Sequence, residues 1–359
     1  MPRAALRPFR AERSIPPAGA PHSVRPIRST RSGLAAVALL LVGALGACTG
    51  APEADKPVAA AGSSHPTPVS VNRCGVTTTV TAPPARLVTL NQGATEVALA
   101  LDLQTRMAGT AYLDDAVPAR WKTAYDTVPV LSEKYPSKEK LLAARPDFLY
   151  ASYSSAFTDK VAGTRDELGS QGITTYLSPL GCADGKQSAS PSFQAVWDEL
   201  GDVAELFGVA PRAAAIRDTQ QRQLAEVTAK STGKGLKVLW YDSDTKTPYV
   251  GAGHGGPQLV LDAVGARNVF DTLPGGWKST SWEQVVAADP DAIVLADAGW
   301  DTAQSKIDYL EHDPVLSKLK AVQRRAYVVV PFSESTPGVQ LADGAVRVSA
   351  GLGNLTPRP

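Results

Sequence analysis

Two stretches of this chain are written on one frame. Ser137 to Leu149 reads SKEKLLAARPDFL, and Ser281 to Ile293 reads SWEQVVAADPDAI. Six of the thirteen positions are identical: Ser137/Ser281, Glu139/Glu283, Ala143/Ala287, Ala144/Ala288, Pro146/Pro290 and Asp147/Asp291, each pair 144 residues apart. That spacing is too long for a solenoid, whose period runs to about 20–50 residues. It implies two related halves that carry the frame at the same place. Within each copy the serine reads as the N-cap of a short helix. The proline ends that helix and biases the preceding residue toward extended backbone. An apolar strand follows.

The surrounding sequence has the same character. From Arg86, the strands RLVTL and RMAGT flank the helical spacing of ATEVALALDL, and after the first frame come the helix VAGTRDELGSQG and the strand ITTYL. Two helices follow, SFQAVWDELGDVAELFG and the longer APRAAAIRDTQQRQLAEVTAK, which has Pro211 in its first turn. A second run then holds the strands KVLWY and PYVGA, the helix PQLVLDAVG, the second frame, the helix TAQSKIDYL, the strand AYVVV and a closing helix over about 339–352. Alternating strands and helices imply a mostly parallel sheet covered on both faces. The order is lobe, long helix, lobe, which divides the body into 71–210, 211–232 and 233–359. Apolar residues make up 43% of the 359, and the net charge is +1, so no basic surface points to nucleic acid.

The first seventy residues are different. Residues 1–33 hold seven arginines and one acid, Glu12, and are followed by the apolar run LAAVALLLVGAL, Leu34 to Leu45. A bilayer-spanning helix needs about 20 apolar residues. The run is shorter, and with its basic flank and the small residues after it, it reads as a secretory signal over 1–47. The basic region is long, and Val24 offers a later start. Leu45-Gly46-Ala47-Cys48 matches the bacterial lipobox, in which the cysteine takes a diacylglyceryl group and becomes the new N-terminus. Cys48 is therefore expected to anchor the chain to the outer face of the cell membrane. Residues 48–70, small, polar and Pro-rich, read as a flexible tether. Cys74 and Cys182 remain; an even pair in an exported protein reads as a disulfide, the alternative being two buried thiols.

The motifs RLVTLNQGATEVALALDLQTRMAGT, VPVLSEKYPSKEKLLAARPDFLYAS, SWEQVVAADPDAIVLAD and LKAVQRRAYVVVP, together with the lipobox, carry a family resemblance. Over about residues 74–353 the chain resembles the solute-binding proteins of ABC importers for iron–siderophores, haem and cobalamin, the helical-backbone class. The resemblance implies an α/β fold of two Rossmann-like lobes joined by a single long helix, with a ligand cleft between them. It implies an ABC permease dimer with its cytoplasmic ATPase as partner, a small-molecule ligand such as a ferric chelate, and no cofactor of the protein's own. In that family each lobe carries a surface glutamate that docks onto arginines of the permease. The matching positions are Glu139 and Glu283, which would account for a frame written twice.

Cleft residues should lie on loops after strands. The candidates are Tyr112, Lys134 and Tyr153 in the first lobe, with Asn91, Gln92 and Tyr135 beside them, and Tyr241, Tyr249, His254, Trp277 and Trp300 in the second. Aromatic side chains suit a large, partly flat ligand. Direct binding of a bare metal ion is not expected: outside the signal and tether the only histidines are His254 and His312. GAGHGG lacks the Lys-Ser/Thr of a phosphate-binding loop, and no G-x-S-x-G elbow is present to support a secreted hydrolase, although Asp242 or Asp244 could pair with His254. Few cations lie in the candidate loops, which fits a neutral or weakly acidic chelate. LWYDSDTKTPYVGAG resembles a subgroup proposed to bind a precursor of the deazaflavin cofactor, so a metal-free precursor, or a corrinoid, is the alternative ligand. A ligand sensor without import is a third class.

Overall fold

The computed structural model describes residues 67–182 and 189–355. The signal segment, Cys48 and most of the expected tether lie outside the described residues. The end of that tether is structured: β1 (Val69–Arg73) pairs antiparallel with β2 (Val76–Val80), because Val71 and Val80 have a core face to bury. Among the described residues no helix is long and apolar enough to cross a membrane.

The first lobe follows as β3 (Leu87–Leu90), α1 (Gln92–Ala100), β4 (Met107–Ala111), α2 (Ala119–Tyr125), β5 (Val130–Ser132), α3 (Lys138–Ala143), β6 (Phe148–Ala151), α4 (Arg165–Ser170) and β7 (Thr174–Leu177). Its sheet is all parallel, in the order β5-β4-β3-β6-β7. The central strands β3 and β6 are buried along their whole length, as expected of strands covered on both faces. Cys74, in the turn between β1 and β2, is joined by a disulfide to Cys182 beyond β7, with the two Cα atoms 5.4 Å apart.

The two connecting helices are α5 (Phe193–Leu206) and α6 (Ala210–Lys230). Twenty-one residues make α6 about 31 Å long at 1.5 Å per residue. Most of its surface is in water; its buried residues are Ala213, Gln220 and Val227, spaced by seven, which is one face every two turns. Gln220 sits at the middle of this stripe. Its side chain accepts a bond from Trp197 Nε1 on α5 at 2.8 Å and donates to the Val339 carbonyl at 2.6 Å. A buried amide satisfied on both sides fixes the helix against its neighbours.

The second lobe comprises β8 (Lys237–Ser243), β9 (Tyr249–Gly251), α7 (Gly256–Ala263), β10 (Arg267–Asn268), β11 (Trp277–Ser279), α8 (Trp282–Ala288), β12 (Ala292–Asp297), α9 (Ala303–His312), α10 (Lys320–Gln323), β13 (Tyr327–Pro331) and α11 (Leu341–Leu355). Its sheet runs β11-β9-β8-β12-β13, with β10 also on β8. Strands β10, β12 and β13 lie parallel to the β8 direction, whereas β9 runs antiparallel to both of its neighbours, β8 and β11. This mixed edge departs from the parallel pattern expected from the sequence, and it puts Trp277 on a strand instead of a loop.

Both copies of the frame do the same structural work. Ser137 caps α3 by accepting from Lys140 N, and Ser281 caps α8 by accepting from Gln284 N, each at 3.3 Å. Asp147 accepts from Arg86 N at 2.9 Å, and Asp291 accepts from Lys237 N at 2.8 Å. In return the Asp147 and Asp291 N–H groups donate to the Arg86 and Lys237 carbonyls. The same two basic residues reach the end of the frame helix: Arg86 Nη2 bonds the Ala144 carbonyl and Lys237 Nζ the Ala288 carbonyl, both at 2.5 Å. Each lobe thus uses its Pro-Asp to hold the start of its first central strand (β3 or β8) against the strand after the frame (β6 or β12). A cation placed at the helix's C-terminal carbonyls adds a favourable dipole contact.

Candidate ligand cleft

The loops that leave β3, β4, β6 and β7 in the first lobe and β9 and β13 in the second build a cavity of about 610 Å3. Residues from both lobes line it. Gln92, Gly93, Asp114, Ser152, Tyr153, Ser178 and Glu199 come from the first lobe and α5; Gly253, His254, Gly255, Gln258, Trp277 and the Thr336–Gly338 turn face them from the second.

On the first lobe, Gln92 organises the wall. Its Oε1 accepts from Asp114 N at 2.9 Å, and its Nε2 donates to Glu96 at 2.6 Å. The start of α1 is thereby tied to the loop after β4. Asn91, at φ 79°, donates through Nδ2 to the Tyr135 hydroxyl at 3.0 Å, and that hydroxyl lies 2.9 Å from Ser155 Oγ. Ser152 accepts from Ala94 N at 2.8 Å. On the second lobe, the glycines of GAGHGG are required by close packing. A Cβ at Gly253 would lie 2.0 Å from the Asp271 carbonyl, and one at Gly256 would lie 1.9 Å from that of Ser335. This explains the glycine-rich sequence without any phosphate-binding role.

The lobes also touch beside the cavity. Ser333 N donates to Asp115 Oδ2 at 2.9 Å, Arg120 pairs with Asp343 at 2.6 Å, and Gly299 N meets the Asp114 carbonyl at 3.4 Å. Val339 of the second lobe packs into the core of the first. One helix carries the chain across, but these contacts stitch the lobes along a second line.

Of the sequence candidates, Gln92, Tyr153, His254 and Trp277 line the cavity. Tyr112 and Lys134 lie together outside it: the Tyr112 ring sits edge-on to Tyr135 with centroids 4.6 Å apart, and Lys134 Nζ is 5.0 Å from the Tyr112 centroid. Trp300 is 51% exposed and packs on Phe332, and Tyr249 is 38% exposed on the short strand β9; neither lines the cavity. Tyr241 needs correction. It is fully buried in the core of the second lobe, its ring edge-on to Trp282 and its hydroxyl bonded to the Asp244 carbonyl at 3.0 Å. Its register on β8 turns it inward, and it is not a cleft residue.

The polar lining was largely missed from sequence. Glu199 had a readable signal: Val196, Glu199, Leu200 and Val203 share one face of α5, so a carboxylate stands on an apolar stripe. Burial pushes the Glu199 carboxyl up to about 7, opposed by the Tyr150 hydroxyl that bonds it. Deeper in the same wall, burial raises Glu96 to about 8. On the second lobe, burial raises Asp242 to about 6. Among the described residues no group of three or more His, Cys, Asp or Glu is placed to hold a metal ion.

Glu139 and Glu283 occupy the second position of α3 and α8 and are fully exposed. Bonds from its own backbone and from Ser137 hold the Glu139 carboxyl below the usual range; Ser281 and its own backbone do the same for Glu283.

The family model described as periplasmic binding protein matches residues 87–333. Among solved structures, a periplasmic binding protein from Veillonella parvula is 28% identical with a TM-score of 0.70, covering 80% of this chain and 98% of its own. An Fe3+-hydroxamate transport protein from Saccharomonospora viridis is 22% identical with a TM-score of 0.67, covering 80% and 99%. A periplasmic haem-binding protein from Roseiflexus sp. RS-1 is 19% identical with a TM-score of 0.61, covering 75% and 98%. The last two likenesses are of fold. No curated protein matches the sequence.

Proposed function

Since the chain belongs to the periplasmic binding protein family, we propose that it is the extracytoplasmic substrate-binding component of an ABC importer, capturing an iron–siderophore-type chelate. The observation that carries this reading is the cavity of about 610 Å3 built from the strand-end loops of both lobes, a size suited to one small-molecule ligand. Similar folds in an Fe3+-hydroxamate transport protein and a haem-binding protein support the iron-chelate class. The protein binds its ligand and passes it on; it is not an enzyme. Glu139 and Glu283 would dock the lobes onto the two halves of the permease, and the lipid on Cys48 would keep the protein at the membrane face. Mass spectrometry of native membranes should find a diacylglyceryl cysteine at Cys48 as the first residue.

A titration panel of hydroxamate, catecholate and citrate ferric chelates, haem, corrinoids and deazaflavin precursors tests the ligand class. Saturable one-to-one binding of a chelate, lost when iron is removed, is the expected result, with an affinity of about micromolar to nanomolar. Binding only of a metal-free deazaflavin precursor or a corrinoid would replace the chelate. No binding across the panel, with turnover of an ester or peptide, would overturn the transport reading.

A further inference from the structure

The cavity wall is rich in carboxylates and poor in cations. Asp114, Glu199 and Asp262 line it, and its lining includes no arginine or lysine among the described residues. The neighbouring cations are engaged elsewhere. Arg120 pairs with Asp343, and Arg347 grips Glu334 through two bonds of 2.6 and 2.7 Å. Lys306 is buried and donates to the carbonyls of Ala296 and Asp301, both at 2.7 Å. Lys134 sits over the Tyr112 ring and acts on Asp114 only through space. Lys278 follows Trp277 on β11, is exposed, and by strand alternation points to the opposite face.

The three carboxylates differ in what already holds them. Glu199 is bonded to Tyr150, and Asp262 accepts from Gln258 Nε2 at 2.7 Å. The Asp114 carboxylate, half-buried in the wall, accepts no hydrogen bond from the described residues; only its backbone N–H and carbonyl are used. Burial and the neighbouring Asp115 both push its pKa up. An anion partly removed from water without a partner is costly, and an incoming cation relieves that cost. A second orphaned oxygen lies in the other lobe, on a residue that does not itself line the cavity. Asp242 is 3% exposed, and its Oδ1 has no hydrogen-bond partner; the nearby Trp277 Nε1, also buried, stays outside bonding geometry. The opposing feature is weaker. Helix α7 opens at Gly255–Gly256 with no side-chain cap, and its first-turn N–H groups carry roughly half a positive charge between them. That suits neutral acceptor oxygens better than several full negative charges.

Resting on the reading above, we infer that the ligand carries a positively charged nitrogen held by Asp114, with its neutral acceptor oxygens toward Gly255 and Gly256. A polyanionic chelate would meet this wall without a compensating cation. Asp114 is then the residue that sets ligand charge.

The test uses two ferric trihydroxamates that differ only in a terminal amine, free and cationic in one and acetylated in the other, alongside a trianionic ferric tricatecholate. Each is titrated into the protein and into Asp114→Asn. The cationic chelate should bind at least about ten-fold tighter than the acetylated one, with added salt narrowing the gap. Asp114→Asn should abolish the difference, and a cooperative thermal melt with unchanged far-UV circular dichroism shows that the variant is folded. Equal affinity for the two hydroxamates, or tighter binding of the tricatecholate, overturns the charge inference and leaves the import reading standing. If no chelate binds, the chelate reading fails and takes this inference with it.

Discussion

The two copies of the frame separate what the fold needs from what it does not. In both lobes the serine caps a helix, and the aspartate accepts the backbone N–H of Arg86 or Lys237 while its own N–H is returned to the same residue. Those identities have an internal reason. The glutamates have only a local one: Glu139 and Glu283 bond their own helix starts and nothing further in the fold. Their surroundings also differ. Glu139 stands between Lys138 and Lys140, with Lys138 paired to Glu167 at 3.5 Å. Glu283 stands between Trp282 and Gln284, beside a groove formed with Val286, Ala287, Val315 and Leu316. A position kept in two copies without a tertiary partner, and set in two different surroundings, is what an external contact would leave behind.

The largest expected asymmetry between the lobes is covalent. The first lobe is cross-linked by Cys74–Cys182, a separation of 108 residues, and the described part of the second contains no cysteine. Closing a loop of that length stabilises by roughly 4–5 kcal/mol in the chain-entropy model. Reduction, or a Cys74→Ser/Cys182→Ser variant, should lower unfolding stability by about that order in a urea titration. Hydrogen exchange should quicken in β1, β2 and β7 well before β8 and β12. Uniform loosening of both lobes would show that they unfold as one unit.

Next come the glutamates. Glu283→Ala should reduce ligand uptake in cells more than Glu139→Ala, because the charge of Glu139 is already offset by lysines on both sides. Ligand affinity measured on either purified variant should be unchanged. Full transport by both variants would remove the docking role, and equal losses would remove the proposed difference between the lobes.

The aspartates sharpen the comparison from inside. Asp147→Ala strands the N–H groups of Ala85 and Arg86; Asp291→Ala strands that of Lys237 and breaks an ion pair with Lys320 at 2.8 Å. Each should cost about 1–3 kcal/mol in thermal or chemical unfolding, as expected when a backbone donor loses its acceptor. A negligible loss for one alone would mean that water replaces the acceptor in that lobe.

The lobe–helix–lobe order was legible because each central strand is an unbroken apolar run, such as KVLWY, and because Pro146 and Pro290 punctuate the frame. Helix α6 was legible from its length and from Pro211. The β1–β2 hairpin was not: VSVNR and VTTTV alternate over too few residues to stand out from a polar tether, and their burial depends on strands far away in sequence. The cleft was read by residue type, and type cannot give direction. Tyr241 and Trp277 are both aromatics near the end of a β8-side strand, yet one turns into the core and the other into the cavity. Asp114 carried no local pattern at all. Its role depends on a missing partner, which only three-dimensional packing reveals.

That distinction gives the smallest and most local prediction, between two tryptophans that looked equivalent in sequence. Trp277 lines the cavity from β11, where its ring is partly covered, so a ligand would bury the rest of it. Trp300 lies outside the lining with half its surface in water, and its ring is held by Phe332 at 5.7 Å. Trp277→Ala should weaken binding of the cognate chelate by about 1 kcal/mol or more, the usual threshold for a true contact. Trp300→Ala should change affinity by no more than a few tenths of that, as for a surface substitution. The fluorescence change on ligand addition should vanish in Trp277→Phe and persist in Trp300→Phe. If Trp300 instead carries both the signal and the affinity, the ligand sits toward the Asp114–Gly299 contact, and the second lobe recognises it through the loop after β12 instead of the hairpin edge.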